Sequence, residues 1–93
     1  MPTAIVMIDT DQALIPEAAT AIAEVAGVSA VYSVTGEVDL IAMVHVTDHN
    51  DFADIIADKI SKVPGVQRTR TYLAFREFSS KDLDAAFALG LED

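Results

Sequence analysis

Two stretches of this chain are apolar on both of their alternating faces, and that limits the folds open to it. Thr3–Asp9 (TAIVMID) is short, apolar and rich in β-branched residues, so it reads as a strand. Ile5 and Met7 point one way from it, and Ala4, Val6 and Ile8 the other. Asp39–Thr47 (DLIAMVHVT) repeats the pattern, with Leu40, Ala42, Val44 and Val46 on one side and Ile41, Met43 and His45 on the other. A strand with one wet face alternates apolar and polar residues, whereas a near-continuous apolar strand is buried on both faces. A sheet built from these strands therefore needs two covers.

The rest of the chain supplies one of them. After the Asp9-Thr10-Asp11 turn, Pro16–Ala26 reads as a helix. Pro16 suits its first turn, where a missing N–H costs nothing. Ile15, Ala18, Ala19, Ile22, Val25 and Ala26 form an apolar stripe at helical spacing. Gly27 stands where a left-handed C-terminal cap belongs. Val28–Val34 is a second strand, joined through Thr35-Gly36-Glu37-Val38 to the third strand at Asp39. That link is too short for a crossover, so these strands form an antiparallel hairpin. Asp48–Lys62 reads as a second helix, with Asp48 as N-cap and Asp51 in the capping-box position. Phe52, Ile55, Ile56, Ile60 and Val63 make its stripe. Val66–Phe78 is a long fourth strand, in which Gln67, Thr69, Thr71, Leu73 and Phe75 share one face and Arg68, Arg70, Tyr72 and Ala74 the other. An acidic C-terminal helix follows within residues 79–93.

The order βαββαβ carries an internal echo, Val25-Ala26-Gly27-Val28 against Val63-Pro64-Gly65-Val66. Two βαβ halves joined by a hairpin make an α+β, ferredoxin-like sandwich. Right-handed crossovers place both helices on one face of a four-stranded antiparallel sheet. The chain is expected to be one domain, 1–93, with its core in 3–78. Its 93 residues are 52% apolar before glycine is counted, against about 45–50% with glycine included in an average protein. That excess and the uncovered sheet face predict a second copy packed face to face, as a symmetric dimer.

The net charge is −9, and residues 1–58 hold ten Asp or Glu and no Lys or Arg. Phosphate binding draws on Lys and Arg, so the balance argues against nucleic acid and against anionic membrane surfaces. The acidic half reads most simply as a solvated surface. There is no cysteine, which excludes thiolate chemistry. No signal-peptide pattern is visible, and no apolar run approaches the ~20 residues of a membrane helix. A soluble, cytoplasmic protein is expected.

Signals for catalysis are weak, and no catalytic residue, metal site or cofactor is assigned. No nucleophile-elbow context is present. His45, mid-strand, reads as a packed, hydrogen-bonded histidine, with a proton donor or ligand-binding group in a barrel interior as the alternative. His49 reads as exposed; with Asp48 and Asp51 it matches no closed metal site. Glu37 and Asp39 are the one carboxylate pair placed for comparison. Gly36 stands alone in its turn, so there is no phosphate loop.

Three segments, in order on this frame, resemble the effector-binding (RAM) domain of the Lrp/AsnC family. Val34-Thr35-Gly36-Glu37-Val38-Asp39 is similar to its V-T-G-x-x-D turn, Val63-Pro64-Gly65-Val66 to its L-P-G-V, and Thr69-Arg70-Thr71 to its T-x-T. The resemblance spans residues 3–78. It implies a domain that dimerises into an α/β barrel, assembles into rings of dimers and takes an amino-acid effector between neighbouring dimers. Carried over, the site residues are Thr35, Gly36, Glu37, Val38, Asp39, Thr69 and Thr71. The chemistry is compatible: Asp39 is placed to accept from an ammonium, and turn N–H groups and threonine hydroxyls to hold a carboxylate. The plainer readings are a turn acceptor for Asp39, a positive-φ glycine for Gly36 and β-propensity for the threonines.

Full members of the family carry an N-terminal helix-turn-helix domain, for which there is no room before the first strand here. The expectation is a stand-alone sensor that does not bind DNA and modulates a full-length Lrp/AsnC regulator by co-assembly. The ACT domain shares the architecture but carries a glycine-rich turn that Asp9-Thr10-Asp11-Gln12 does not supply. Two other readings stay open. One is a small cofactorless dimeric-barrel enzyme, monooxygenase- or isomerase-like, using His45 or Tyr72. The other is an oligomerisation module that binds nothing.

Overall fold

A computed structural model describes residues 2–78. The expected acidic helix at 79–93 lies outside the described residues. The elements run β1 (Thr3–Thr10), α1 (Ile15–Ala23), β2 (Val28–Ser33), β3 (Leu40–His45), α2 (Asp51–Ala53, continuing as a π-helical segment, Asp54–Ile60) and β4 (Val66–Ala74). The antiparallel sheet has the order β2-β3-β1-β4, the ferredoxin-like arrangement. β1 is central, with Val6 opposite Ala42 on β3 and Thr71 on β4.

Strict alternation divides the sheet. Ala4, Val6, Ile8, Leu40, Ala42 and Val44 are fully buried against Ala18 and Ile22 of α1 and Phe52, Ile55 and Ile60 of the second helix. Ile5, Met7, Ile41, Met43 and His45 face the other way and are half-buried, with neither helix above them. Tyr32 and Tyr72, in register with Ile41 and Ile5, extend this open face.

Several expected boundaries are corrected, each for a physical reason. α1 ends at Ala23 rather than Ala26, because Val25 and Val28 donate to carbonyls three residues back and tighten the exit. A 3-10 turn, Gln12–Leu14, precedes α1, with the Asp11 carboxylate accepting from Ala13 N–H at 3.0 Å. Asp48 does not cap the second helix. Its carboxylate accepts from Asn50 N–H at 2.9 Å in a turn before the helix, which starts at Asp51. The helix then widens: Ser61 N–H reaches Ile56 O, five residues back, at 2.9 Å. A five-residue hydrogen-bond step brings Ile55 and Ile60 onto one face, and both are buried. Finally, β4 stops at Ala74 rather than Phe78. Ala74 pairs with Thr3, where β1 begins, so the residues beyond it have no strand beside them. Phe75 and Phe78 are exposed.

The internal echo is a backbone echo too. Gly27 and Gly65 share a φ of +98°, and each carbonyl accepts a 2.8 Å hydrogen bond, from His45 N–H and Asp11 N–H respectively.

Candidate functional site

The β2–β3 connection supplies one wall of the site. Val34 N–H donates to Asp39 O at 3.1 Å and closes the loop. Gly36 sits at its tip with φ +126°, a conformation that L side chains avoid, and a Cβ there would meet no atom within 4 Å. The loop is fastened to the end of β1 twice. Asp39 N–H donates to Ile8 O at 3.0 Å, and the Asp39 carboxylate accepts from Thr10 N–H at 2.9 Å. Asp39 is therefore an acceptor as expected, but its partner is a backbone amide 29 residues away rather than its own turn. A charged acceptor makes this a strong hydrogen bond.

So anchored, Thr35, Glu37 and Val38 border a cavity of about 460 Å³ on the open face of the sheet. Its floor is Met7 and Ile41, and its far side is Arg70 and Tyr72 of β4. The volume lies within the roughly 300–1,000 Å³ common for small-molecule sites. Nε of Arg70 is buried and has no hydrogen-bond partner.

The structure brings together some of the expected site residues and separates others. Thr35, Glu37 and Val38 share the cavity, Gly36 shapes its rim and Asp39 anchors it. Thr69 and Thr71 pair with Ile8 and Val6 and so face the helix side of the sheet. Thr71 borders a separate apolar groove with Phe52, Ile56 and Leu73. Within one chain the threonines and the loop do not meet. Arg70, between them in sequence, does meet the loop. Alternation alone places it opposite the threonines, a signal that the T-x-T pattern carries but that fixes no face as the binding one.

His45 is hydrogen-bonded: its Nδ1 lies 2.9 Å from Thr3 Oγ1, and its ring borders a 420 Å³ cavity at the other end of the open face. His45 and Tyr72 border different cavities, so they do not form one constellation. His49 is exposed and packs edge-on to Phe52, with ring centroids 5.6 Å apart. Among the described residues no group of three or more metal-ligating side chains is found, and no helix is long and apolar enough to cross a membrane.

No curated protein matches the chain at a significant level. Solved structures do. TTHA0845 of Thermus thermophilus is 40% identical with a TM-score of 0.81, over 85% of this chain and 99% of its own. The hypothetical protein PHS023 of Pyrococcus horikoshii is 32% identical with a TM-score of 0.75, over 83% and 93%. A feast or famine regulatory protein of M. tuberculosis, solved in complex with L-methionine, is 25% identical with a TM-score of 0.71. The match covers 85% of this chain but 53% of that one, so the chain spans about half of that regulator. Residues 3–83 match the model of the Lrp/AsnC ligand binding domain. On the fold, the loop and this match, the chain belongs to the Lrp/AsnC family of ligand-binding domains.

Proposed function

We propose that this domain binds a free amino acid at the β2–β3 loop, as an oligomer, and transforms nothing. The observation that carries the reading is the anchored loop itself. Two hydrogen bonds between Asp39 and β1 hold Thr35–Val38 over a small-molecule-sized cavity in a domain of an amino-acid-responsive family. The L-methionine complex of the M. tuberculosis relative supports the effector class. The apolar open face supports face-to-face dimerisation into an α/β barrel. Thr69 and Thr71 lie on the other face of the sheet, so they join the site only across a further contact between copies, as in a ring of dimers. The charge of −9 supports action without direct DNA contact. Co-assembly with a full-length Lrp/AsnC regulator is the route by which occupancy would reach transcription.

A thermal-shift panel of the twenty L-amino acids tests this, with calorimetry on each that stabilises. A ligand that binds only the folded state raises Tm as its concentration exceeds Kd. At least one amino acid is expected to do so. Silence from all twenty overturns the reading.

A further inference from the structure

The two edge strands of the sheet are covered unequally on the helix side. On β2, Val28 and Val31 pack against the core. On β4, Thr71 and Leu73 face the same side but are exposed, Leu73 at 53%. With Phe52, Ala53, Ile56 and Ala57 of the second helix they line an apolar groove of about 330 Å³ along the free edge of the sheet. Sheet edges in stable proteins are blunted or covered, and an exposed leucine at such an edge is an incomplete cover.

The sequence holds a segment of matching character, beyond the described residues. Ser79 and Ser80 are N-cap residue types and Gly90 a C-cap type, which brackets a helix over residues 80–89. At helical spacing Leu83, Ala86 and Phe87 share one face, and Lys81, Ala85 and Ala88 lie opposite. A helix this short is marginal in water without tertiary packing, so its apolar face needs a partner. The match to the family's domain ends at residue 83, so most of this segment is an addition to the shared fold.

Reach decides which groove it meets. Leu73 is the last helix-side residue of β4, so the groove adjoins the point where the chain leaves the strand. Phe75, Arg76 and Glu77 stay beside Thr3 at that end of the sheet. The five residues 75–79 span at most about 18 Å. The chain's own groove is one layer away, about 10 Å, whereas that of a copy packed face to face lies behind a second sheet, roughly 20 Å away. We propose that residues 80–89 fold back as a helix onto the groove of their own chain, seating Leu83, Ala86 and Phe87 against Ala53, Ile56, Ala57 and Leu73. Seated there, the segment also competes with any neighbouring copy for Thr71, and so restrains the higher assembly proposed above. The docking itself stands apart from ligand binding, and an amino-acid panel without hits leaves it untouched.

The test uses the full chain, with amide hydrogen exchange and nuclear Overhauser contacts read by NMR. Amides of residues 83–89 are expected to exchange at least about tenfold more slowly than in an unfolded peptide. The Phe87 ring is expected to contact the Ile56 and Ala57 methyls, and in a mixture of labelled and unlabelled chains those contacts stay within one chain. Phe87→Asp in the segment and Ala57→Glu in the groove each abolish the protection, and the pair together loses no more than either alone. Ala57 is exposed, so Ala57→Glu leaves the domain folded. Ala85→Glu, on the opposite face, keeps the protection. Phe87→Asp also shifts sedimentation toward larger species. Contacts that form between copies overturn the proposal by making a second copy's segment the occupant. Amides that exchange as fast as an unfolded peptide's, or protection that survives Ala57→Glu, overturn it by leaving the groove empty. Sedimentation that Phe87→Asp leaves unchanged, or moves toward smaller species, overturns the competition for Thr71.

Discussion

β1 and β3 carry similar apolar side chains on their two faces, yet the faces meet different fates. On one, Ile8, Leu40 and Val44 have no exposed surface. On the other, Met7, Ile41 and Met43, one residue along, keep contact with solvent within the single chain. The residue types do not separate the faces. What separates them is that two right-handed crossovers put both helices on one side. The covered face gives the chain its stability, and the open face, with the loop cavity at its end, carries the proposed site. The same strands serve both because a strand's period of two lets its faces be specified independently.

The sharpest way to break this comparison is to truncate neighbours in register. Leu40→Ala removes a fully buried side chain and is expected to cost about 2–5 kcal/mol in denaturant unfolding. Ile41→Asp, one residue away, is expected to leave the isolated fold standing and to abolish self-association in sedimentation velocity. Wild type would then show a Tm that rises with protein concentration, and Ile41→Asp a constant one. A wild-type monomer at high micromolar concentration would show that the open face is not an interface.

Next in size is the fastening of the loop. Asp39→Ala removes a charged acceptor from Thr10 N–H and is expected to cost about 1.5–3 kcal/mol. Asp39→Asn keeps an acceptor oxygen and recovers part of that. Equal losses from both would mean that the charge, not the hydrogen bond, fixes the loop. Smaller again is Gly27→Ala. It forces φ +98° on an L residue and sets a Cβ 2.7 Å from Ile55 Cδ1, at a cost of more than about 1 kcal/mol. At Gly36 only the backbone term applies, because a Cβ meets nothing there. Gly36→Ala should therefore cost less than Gly27→Ala in the same unfolding assay.

Local and periodic features of this molecule are readable from its residues, and features set by distant partners are not. The element order, the hairpin, the two stripes and the paired Gly27 and Gly65 follow from short-range rules that the chain obeys everywhere. The widened helix does not, because Phe52, Ile55, Ile56 and Ile60 fit a 3.6-residue stripe as well as they fit a five-residue hydrogen-bond step, so the apolar pattern does not tell the two apart. The end of β4 depends on where β1 begins, some seventy residues earlier in the chain. Asp39 reads as a turn acceptor, and its acceptor chemistry is right, but its partner is Thr10. The proposed site is half legible for the same reason. The loop motif picks out Thr35–Val38, beside one cavity, while the Thr69-Arg70-Thr71 pattern offers both faces of a strand and nothing in it says which face the loop overhangs.

The smallest expected effect bears on that ambiguity. Thr71 is exposed on the helix side of β4, in the groove beside Phe52 and Leu73. Thr71→Val keeps the β-branched shape and removes one hydroxyl, so stability should change by less than about 0.5 kcal/mol. Its effect on effector affinity is bounded too. A neutral hydrogen bond contributes about 0.5–1.5 kcal/mol, or roughly threefold to tenfold in Kd. If the hydroxyl reaches a loop of another copy, that loss appears in the higher assembly and vanishes when dilution has dispersed it. A loss of a hundredfold, or one that persists in the monomer, would contradict the placement of Thr71 on the far face. The hydroxyl would then belong beside the loop.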